Sequence, residues 1–152
     1  MYITSAVLEI LQSLKADGMV AEVAYNSPTK VNVDMDTMQH PAAVMYLFRD
    51  GAIDLASGLY REEAEVNVMF VTHQSELAFD GVANEQLLDD MAAAATEFVA
   101  RLVADGRTEV VGDNVALRGI YDFNDKNTTG VSLQLRLREV AGHCLTPTTN
   151  QL

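Results

Sequence analysis

The chain of 152 residues carries 22 acidic and 10 basic side chains, which give it a formal net charge of −12 at pH 7. A chain of this length is expected to fold as one domain with a sizeable core. The negative charge disfavours tight binding to nucleic acids and to anionic membranes, because both depend on lysine and arginine side chains that neutralise phosphate groups.

The N-terminal segment is predicted to be a helix, because its apolar side chains recur every three or four residues. Thr4 or Ser5 is expected to cap the start of this helix, and Gly18 is expected to end it. A short strand is predicted over residues 20–25, before a proline turn. The apolar stripe of the helix consists of Ile3, Val7, Ile10, Leu11 and Leu14.

A hairpin is predicted in the next part of the chain. Residues 30–39 are polar and acidic, and they fit a strand edge or a loop equally well. Residues 42–48 form an apolar run of strand length. The motif RDG at 49–51 is a turn signal, and the apolar pattern continues over 52–55, which completes the hairpin.

The strongest strand pattern lies at residues 63–72. Val66, Val68 and Phe70 alternate with their neighbours and are expected to share one face of a sheet. A turn is predicted at Asp80 and Gly81. The opposite face of the strand carries Glu65, Asn67, Met69 and Val71.

The second helix has the clearest periodicity in the chain. It is expected to start near residues 83–85 with Asn84 as its cap, and to end at Gly106. Several alanines in it favour helix formation and close packing. Its apolar stripe consists of Leu87, Leu88, Met91, Ala94, Ala95, Phe98 and Leu102.

The C-terminal part is predicted to be a β meander. Its strands are placed at 108–111, 115–123 and 131–138, with a polar loop at 124–130. In the last strand Val131 and three leucines alternate with polar residues, which predicts one buried face.

Taken together, the elements predict an α+β fold, in which an antiparallel or mixed sheet packs against two amphipathic helices. Helical crossovers between parallel strands are missing from the pattern, which argues against a doubly wound sheet. Residues 1–145 are expected to form a single domain, and residues 146–152 a flexible C-terminal tail.

Targeting signals are not apparent in the sequence. The N-terminus lacks a basic region followed by an apolar run, and no apolar run approaches the roughly 20 residues that a membrane span needs. Cys144 is the single cysteine, so an internal disulfide is impossible. The cytoplasm of the producing cell is therefore the expected location.

Two polar clusters superficially resemble metal sites. Asp34, Asp36 and His40 offer oxygen and nitrogen ligands, but their spacing matches no metal motif, and a solvated acidic loop explains them better. The stretch from Asp122 to Asn127 resembles a calcium loop. It has lysine at the third alternating position and lacks the required glycine and glutamate, so a loop of turn-forming residues is preferred. Neither a metal nor a cofactor is predicted.

A cysteine nucleophile is not predicted either. His143 and Cys144 are adjacent, so on a strand their side chains would point to opposite faces and could not converge. No glycine-rich phosphate loop follows a strand in this sequence. The sequence therefore contains no recognisable catalytic motif, and we do not expect an enzyme.

A possible interface is predicted in the acidic segment instead. Met35 and Met38 lie in a polar stretch beside Asp34 and Asp36, and methionines there could form an adaptable partner surface.

The middle of the chain resembles a known group of proteins. The motifs are YLF at 46–48, DGAIDL at 50–55, REEAEVNVMF at 61–70, LAFDG at 77–81, and ANE at 83–85 before a Met- and Ala-rich helix. They resemble small proteins encoded in prophages and mobile elements of gut anaerobes. The order helix, strands, helix, strands is also similar to tail-terminator and neck (tail-completion) proteins of long-tailed phages.

The resemblance implies a structural role. Such proteins assemble into a ring, often a hexamer, that caps the tail tube or joins it to the head. Other tail or neck proteins would be its partners, and it would act in the cytoplasm of the bacterial host or in the virion. An acidic lumen would let DNA slide through without sticking, which is compatible with the net charge. The resemblance assigns no role to individual residues.

Two alternatives stay open. The chain could be a small binding or regulatory module of a mobile element, which a deep apolar pocket with convergent polar groups would favour. It could also be a hydrolase or transferase whose site residues are distant in sequence. Candidates for that chemistry are His40, His73, Asp34, Asp36 and Glu76.

Overall fold

The computed structural model describes residues 2–26, 38–73, 81–123, 128–145 and 147. These residues contain two helices and seven strands. In chain order they are α1 (Tyr2–Ala16), β1 (Glu22–Tyr25), β2 (Ala42–Asp54), β3 (Leu59–His73), α2 (Gly81–Asp105), β4 (Thr108–Val110), β5 (Ala116–Phe123), β6 (Thr128–Glu139) and β7 (His143–Cys144).

The strands of the described residues join into one mixed sheet. Its main order is β1-β2-β3-β6-β4, while β5 also pairs with β6 and β7 with β3. β1 runs parallel to β2, and the other pairings are antiparallel. This arrangement confirms the predicted α+β fold with a mixed sheet and two helices. Its likeness to tail terminators stays a prediction.

Both helices pack on one face of the sheet and against each other. The buried stripe of α1 and most of the α2 stripe meet the apolar faces of β3 and β6 there, as their spacing predicts. Phe70 of β3 and Phe98 of α2 lie at the centre of this core, with ring centroids 6.0 Å apart. Burial of these stripes supplies the main drive for folding.

The C-terminal end of α1 follows the prediction. The N–H of Met19 donates to the carbonyl of Leu14, and the N–H of Gly18 donates to the carbonyl of Lys15, both at 3.0 Å. Gly18 has φ of +78°, a left-handed conformation that glycine adopts without a steric cost. These two bonds form a Schellman motif, which satisfies carbonyls at the helix end.

The predicted start of α1 is wrong. The helix already begins at Tyr2, so Thr4 and Ser5 lie inside its first turn rather than at its cap. Ile3 is fully buried in the core. Packing of this side chain therefore extends the helix beyond the polar residues that local capping preferences would select.

The start of α2 is also misplaced in the prediction. The helix begins at Gly81, three residues before Asn84, so Gly81 is helical rather than part of a turn. Local rules locate helix ends only to within one or two residues. The predicted end is confirmed, because the helix stops at Asp105 and Gly106 has φ of +78°.

The β2–β3 hairpin turns later than predicted. Residues 49–51 stay within β2, which continues to Asp54, and the turn occupies residues 55–58. The turn is closed by the N–H of Gly58, which donates to the carbonyl of Asp54 at 2.8 Å. The Asp54 carboxylate accepts the N–H of Ala56 at 2.9 Å and holds the tip in place.

Gly51 has a strand role rather than a turn role. A Cβ atom at this position would lie 2.5 Å from Cε2 of Tyr60, so the tyrosine ring occupies the space above the glycine. In this hairpin Gly51 pairs with Glu62, the second residue after Tyr60 in β3. The glycine therefore admits a cross-strand aromatic ring, a contact that the turn-like motif does not reveal.

The alternation predicted for β3 and β6 is confirmed. Val66, Val68 and Phe70 lie in the main core, while Met69 and Val71 lie in a smaller cluster on the opposite face. The apolar positions of β6 are buried in the main core, and they are Val131, Leu133, Leu135 and Leu137.

The C-terminal strands do not form the predicted meander. β4 and β5 lie end to end along one edge of β6, and β3 takes the other edge. β6 is 12 residues long, which is enough to pair with both short strands. Local patterning cannot reveal this, because the choice of partner depends on strand lengths and on the position of β3.

Several predicted features fall outside the described residues. They are most of the acidic segment, at 30–37, the first four residues of the polar loop, at 124–127, and residues 146 and 148–152 of the tail. The rest of the predicted loop, residues 128–130, belongs to β6 instead. The domain bounds and the tail stay predictions.

Candidate functional site

The distal end of the β2–β3 hairpin, residues 48–61, is called the arm below. Every residue from 48 to 57 is exposed. At the tip, Leu55 is 89% exposed and Ile53 is 56% exposed. Single exposed apolar residues are common, but neighbouring ones on a projecting element are typical of an interaction site.

The tip of the arm is braced by the C-terminal strand. β7 pairs with Leu59 and Tyr60, and the N–H of Leu145 donates to the carbonyl of Gly58 at 2.8 Å. The tip therefore has backbone partners on both sides of β3, so its apolar side chains are presented by a sheet rather than by a free loop.

Charged side chains connect the arm to the sheet on the face opposite the helices. Arg136 of β6 donates to the carboxylates of Asp50 and Glu63, each at 2.8 Å. The hydrogen bond to Asp50, followed by that to Glu63, raises the pKa of Arg136 above its ordinary value. Surface ion pairs of this kind add little to folding stability, so they orient the arm more than they stabilise it.

Two carboxylates are buried at the base of the arm. Glu62 is 3% exposed and Glu139 is 2% exposed. Arg49 donates to both oxygens of Glu62, at 3.1 and 3.3 Å. One oxygen of Glu139 accepts the backbone N–H of Glu62 at 3.1 Å and lies 2.9 Å from Nε2 of His143. These partners offset the cost of burying the charges.

A cavity of about 330 Å³ opens beside Glu139 and His143. Arg107 also lines it, and this guanidinium contacts Asp105 at 2.8 Å and Glu9 at 2.7 Å. The hydrogen bond to Asp105, followed by that to Glu9, raises the pKa of Arg107. The hydrogen bond from Arg107 also lowers the pKa of Asp105. Two carboxylates therefore balance Arg107, and Glu139 is the acidic side chain that lines the cavity. The remaining lining residues are Gly106, Val140, Ala141 and Gly142.

An apolar notch of about 180 Å³ lies between α2 and β5. It is smaller than the roughly 300–1,000 Å³ of pockets that bind drug-sized molecules. Its size and its apolar lining suit a single side chain better than a metabolite. The notch is lined by Ala95, Thr96, Val99, Val115, Leu117 and Leu133.

The residues of the predicted interface separate into two groups. Met38 is buried in the smaller cluster, against the sheet face that carries Met69 and Val71. Asp34, Met35 and Asp36 lie outside the described residues, so the interface stays a prediction.

The hydrolase candidates are partly brought together. The rings of His40 and His73 lie close, with centroids 3.6 Å apart. Glu76, Asp34 and Asp36 lie outside the described residues. Within the described part of the chain, no group of three or more histidine, cysteine or acidic side chains is placed to hold a metal ion.

Sequence reasoning missed the arm and the buried carboxylates. The sequence did contain an indication that Glu62 is buried. Every second residue of β3 faces inward, and Glu62 continues the series of Val66 and Ala64. The period of two therefore placed this carboxylate on the inner face. No local pattern indicates that the Glu139 carboxylate accepts the backbone N–H of Glu62, because the two residues are 77 positions apart in the sequence.

Two comparisons with known proteins found no relative. No protein-family model matches the chain, and a search of curated proteins found no match. In the described part of the chain, neither helix has the length and apolar character needed to cross a membrane.

Proposed function

We propose that the chain is a structural assembly protein of a phage or prophage, a ring subunit like the tail-terminator and neck proteins at the head–tail junction. Its partners are further copies of itself and other tail or neck proteins, and it acts in the cytoplasm of the bacterial host or in the virion. It is not an enzyme in this proposal. The observation that carries it is the braced arm with Ile53 and Leu55 exposed at its tip.

The arm supports assembly for an energetic reason. Apolar surface gains about 25 cal/mol per Å² when it leaves water, and the tip has that surface available without any rearrangement of the fold. A braced element also loses little conformational entropy on binding, which lowers the cost of association.

The edges of the sheet allow a ring contact. β1 lies at one edge, and β4 and β5 lie along the other. These edges are different surfaces, so a contact between one and the other runs head to tail. Head-to-tail contacts close into rings when the rotation between neighbours permits.

The charge supports a position around DNA. With a net charge of −12, the chain would offer phosphates an unfavourable surface. A ring of such chains would let DNA pass without holding it.

The proposal predicts a stable oligomer in solution. Light scattering coupled to size exclusion is expected to give a multiple of the mass of one chain, with six copies as the leading expectation. The mass should stay constant over a hundredfold dilution, and negative-stain images should show rings. A chain that stays monomeric at its highest attainable concentration would contradict the proposal.

A second candidate function, a small binding module, is favoured by the cavity beside Glu139. Its buried negative charge and modest volume fit a small molecule that carries a protonated amine, because the charge of Arg107 is already balanced. The amine would approach the Glu139 carboxylate beside His143.

Binding of amines can be tested by calorimetry with a series of aliphatic mono- and diamines. We expect Glu139→Gln, which keeps the shape and removes the charge, to weaken binding at least tenfold, equal to about 1.4 kcal/mol. Asp113→Asn removes an exposed charge outside the cavity and serves as the control. The absence of binding heat for every amine at millimolar concentration would refute the second candidate.

A further inference from the structure

The tip of the arm extends beyond the end of β6. The pairing of β3 with β6 reaches Glu63 and Arg138, and β6 ends at Glu139. Further out, β2 and β3 continue as a pair of strands to Asp54 and Leu59. A two-stranded ribbon is marginally stable in water unless a further strand or a packed helix supports it. In the described part of the chain, the strand that supports this ribbon is β7, which is two residues long.

Residues 140–145, called the strap below, contain β7 and lie at the surface. Val140 and Leu145 are 49% and 47% exposed, and Cys144 is exposed as well. No residue of the strap belongs to either of the buried apolar clusters that the described residues form. Segments with few buried apolar contacts open locally at a lower free energy than the core. The strap can therefore leave the sheet while the core stays folded.

A side-chain contact joins the strap to a buried carboxylate. Nε2 of His143 lies 2.9 Å from an oxygen of Glu139, and the same oxygen accepts the backbone N–H of Glu62. Within the described ranges, no lysine or arginine forms an ion pair with Glu139. Because residues 140–143 and Glu139 line one cavity, opening the strap lets water reach this carboxylate. Hydration of the carboxylate then offsets part of the lost contact with His143.

Backbone hydrogen bonds hold the strap at its two ends. The N–H of Val140 donates to the carbonyl of Arg107 at 3.1 Å, which fixes the start of the strap beside β4. The N–H of Leu145 donates to the carbonyl of Gly58 at 2.8 Å, which fixes the far end to the turn of the arm. The contact of His143 with Glu139 lies between these bonds, so it sets how firmly β7 stays beside the tip.

We infer that the strap opens and closes as a unit, with the contact between His143 and Glu139 as its latch. The closed strap adds a third strand beside the tip and holds the tip in place, whereas the open strap leaves the tip as a mobile two-stranded ribbon. The consequence for assembly rests on the proposed function. A fixed tip presents Ile53 and Leu55 at a lower entropic cost than a mobile tip, so closure of the strap favours assembly.

Hydrogen exchange of the full chain, resolved by residue with NMR, tests the strap. In the wild type the amide of Leu145 is expected to exchange faster than that of Leu135 in the middle of β6, which opens with the core. His143→Ala removes the latch and should speed exchange at Leu145 about tenfold, while exchange at Leu135 stays within about twofold. The amide of Gly58, which donates to the carbonyl of Asp54 in the turn, should speed up together with that of Leu145.

Two further comparisons control this test. Cys144→Ala changes the exposed neighbour of the latch and should leave all these rates unchanged. Leu145→Pro removes the N–H that binds the carbonyl of Gly58, while Leu145→Ala keeps it. Exchange at Gly58 should therefore be faster in Leu145→Pro than in Leu145→Ala, which tests the strap even where His143→Ala does not fold.

The outcomes separate the strap from the assembly function. Equal exchange at Leu145 and Leu135 in the wild type, or rates at Gly58 that neither His143→Ala nor Leu145→Pro changes, would overturn the strap. A monomeric wild-type chain would overturn the assembly function, while the strap would still stand on its exchange rates. If the wild type assembles, His143→Ala should raise the dissociation constant of the oligomer about threefold or more, and Cys144→Ala should not. Equal dissociation constants for these two variants would refute the link from the strap to assembly.

Discussion

Replacing Gly130 with alanine is expected to destabilise the fold by about 3 kcal/mol or more, because the new Cβ has no space between β6 and β3. It would lie 1.9 Å from the carbonyl oxygen of Phe70 and 2.8 Å from Cα of Val71. Both atoms belong to the backbone at the centre of the sheet, so the strands would have to separate. Chemical unfolding followed by circular dichroism, at matched protein concentration, measures the loss.

Gly119 offers a matched control on the neighbouring strand. A Cβ there would meet Cδ2 of Leu88 at 3.6 Å, an ordinary contact. We expect Gly119→Ala to be neutral or to stabilise by up to about 1 kcal/mol, because alanine restricts the unfolded chain. Equal stability of the Gly130→Ala and Gly119→Ala variants would contradict the close approach of β6 to β3.

Truncating Phe98 to alanine is the second large effect. Its side chain is fully buried, and it joins α2 to β3 through its contact with Phe70. Loss of a buried phenylalanine costs about 3–5 kcal/mol, through lost burial and through the cavity left behind. Since domains are stable by only about 5–15 kcal/mol, the variant should unfold at a much lower denaturant concentration.

Phe48 is the matched control for Phe98, because it is the same residue type in the arm and is 52% exposed. Phe48→Ala should cost less than about 1 kcal/mol of folding free energy. If Phe48→Ala and Phe98→Ala lowered the unfolding midpoint equally, the core would not be centred between α2 and β3. Both variants must be compared at one protein concentration, since an oligomer gains stability by mass action.

The main core could be predicted from the sequence because each of its elements has its own periodicity. The stripe of α2 and the alternation of β6 specify which residues face inward, whatever the neighbours are. Leu102 and Leu137 are buried for that reason, and the spacing alone selects them.

The hairpin turn shows where local rules fail. The motif at residues 49–51 has the composition of a turn, yet Gly51 faces the ring of Tyr60, and Asp50 pairs with Arg136 of β6. Cross-strand contacts keep these residues extended and move the turn to 55–58. Such contacts join residues far apart in sequence, so turn preferences cannot anticipate them.

The candidate surfaces divide in the same way. The sequence pattern predicted a partner surface that includes Met38, whose side chain is buried. It did not predict the arm, the notch or the Glu139 cavity. The notch and the Glu139 cavity combine residues from separate parts of the chain, and the arm is held by β7 and Arg136, which are distant from it in sequence. Their chemistry depends on which strands become neighbours.

By itself, the sequence determined the fold class, the inward faces of both helices and of β3 and β6, the glycines that end the helices, and the acidic charge. These properties follow from local spacing and composition. Only the tertiary structure decided the length of the arm, the end-to-end placement of β4 and β5 on β6, and the hydrogen bond from the backbone N–H of Glu62 to the Glu139 carboxylate. The physical reason is that strand pairing and carboxylate burial depend on contacts between residues that are distant in sequence. Local spacing and composition do not specify those contacts.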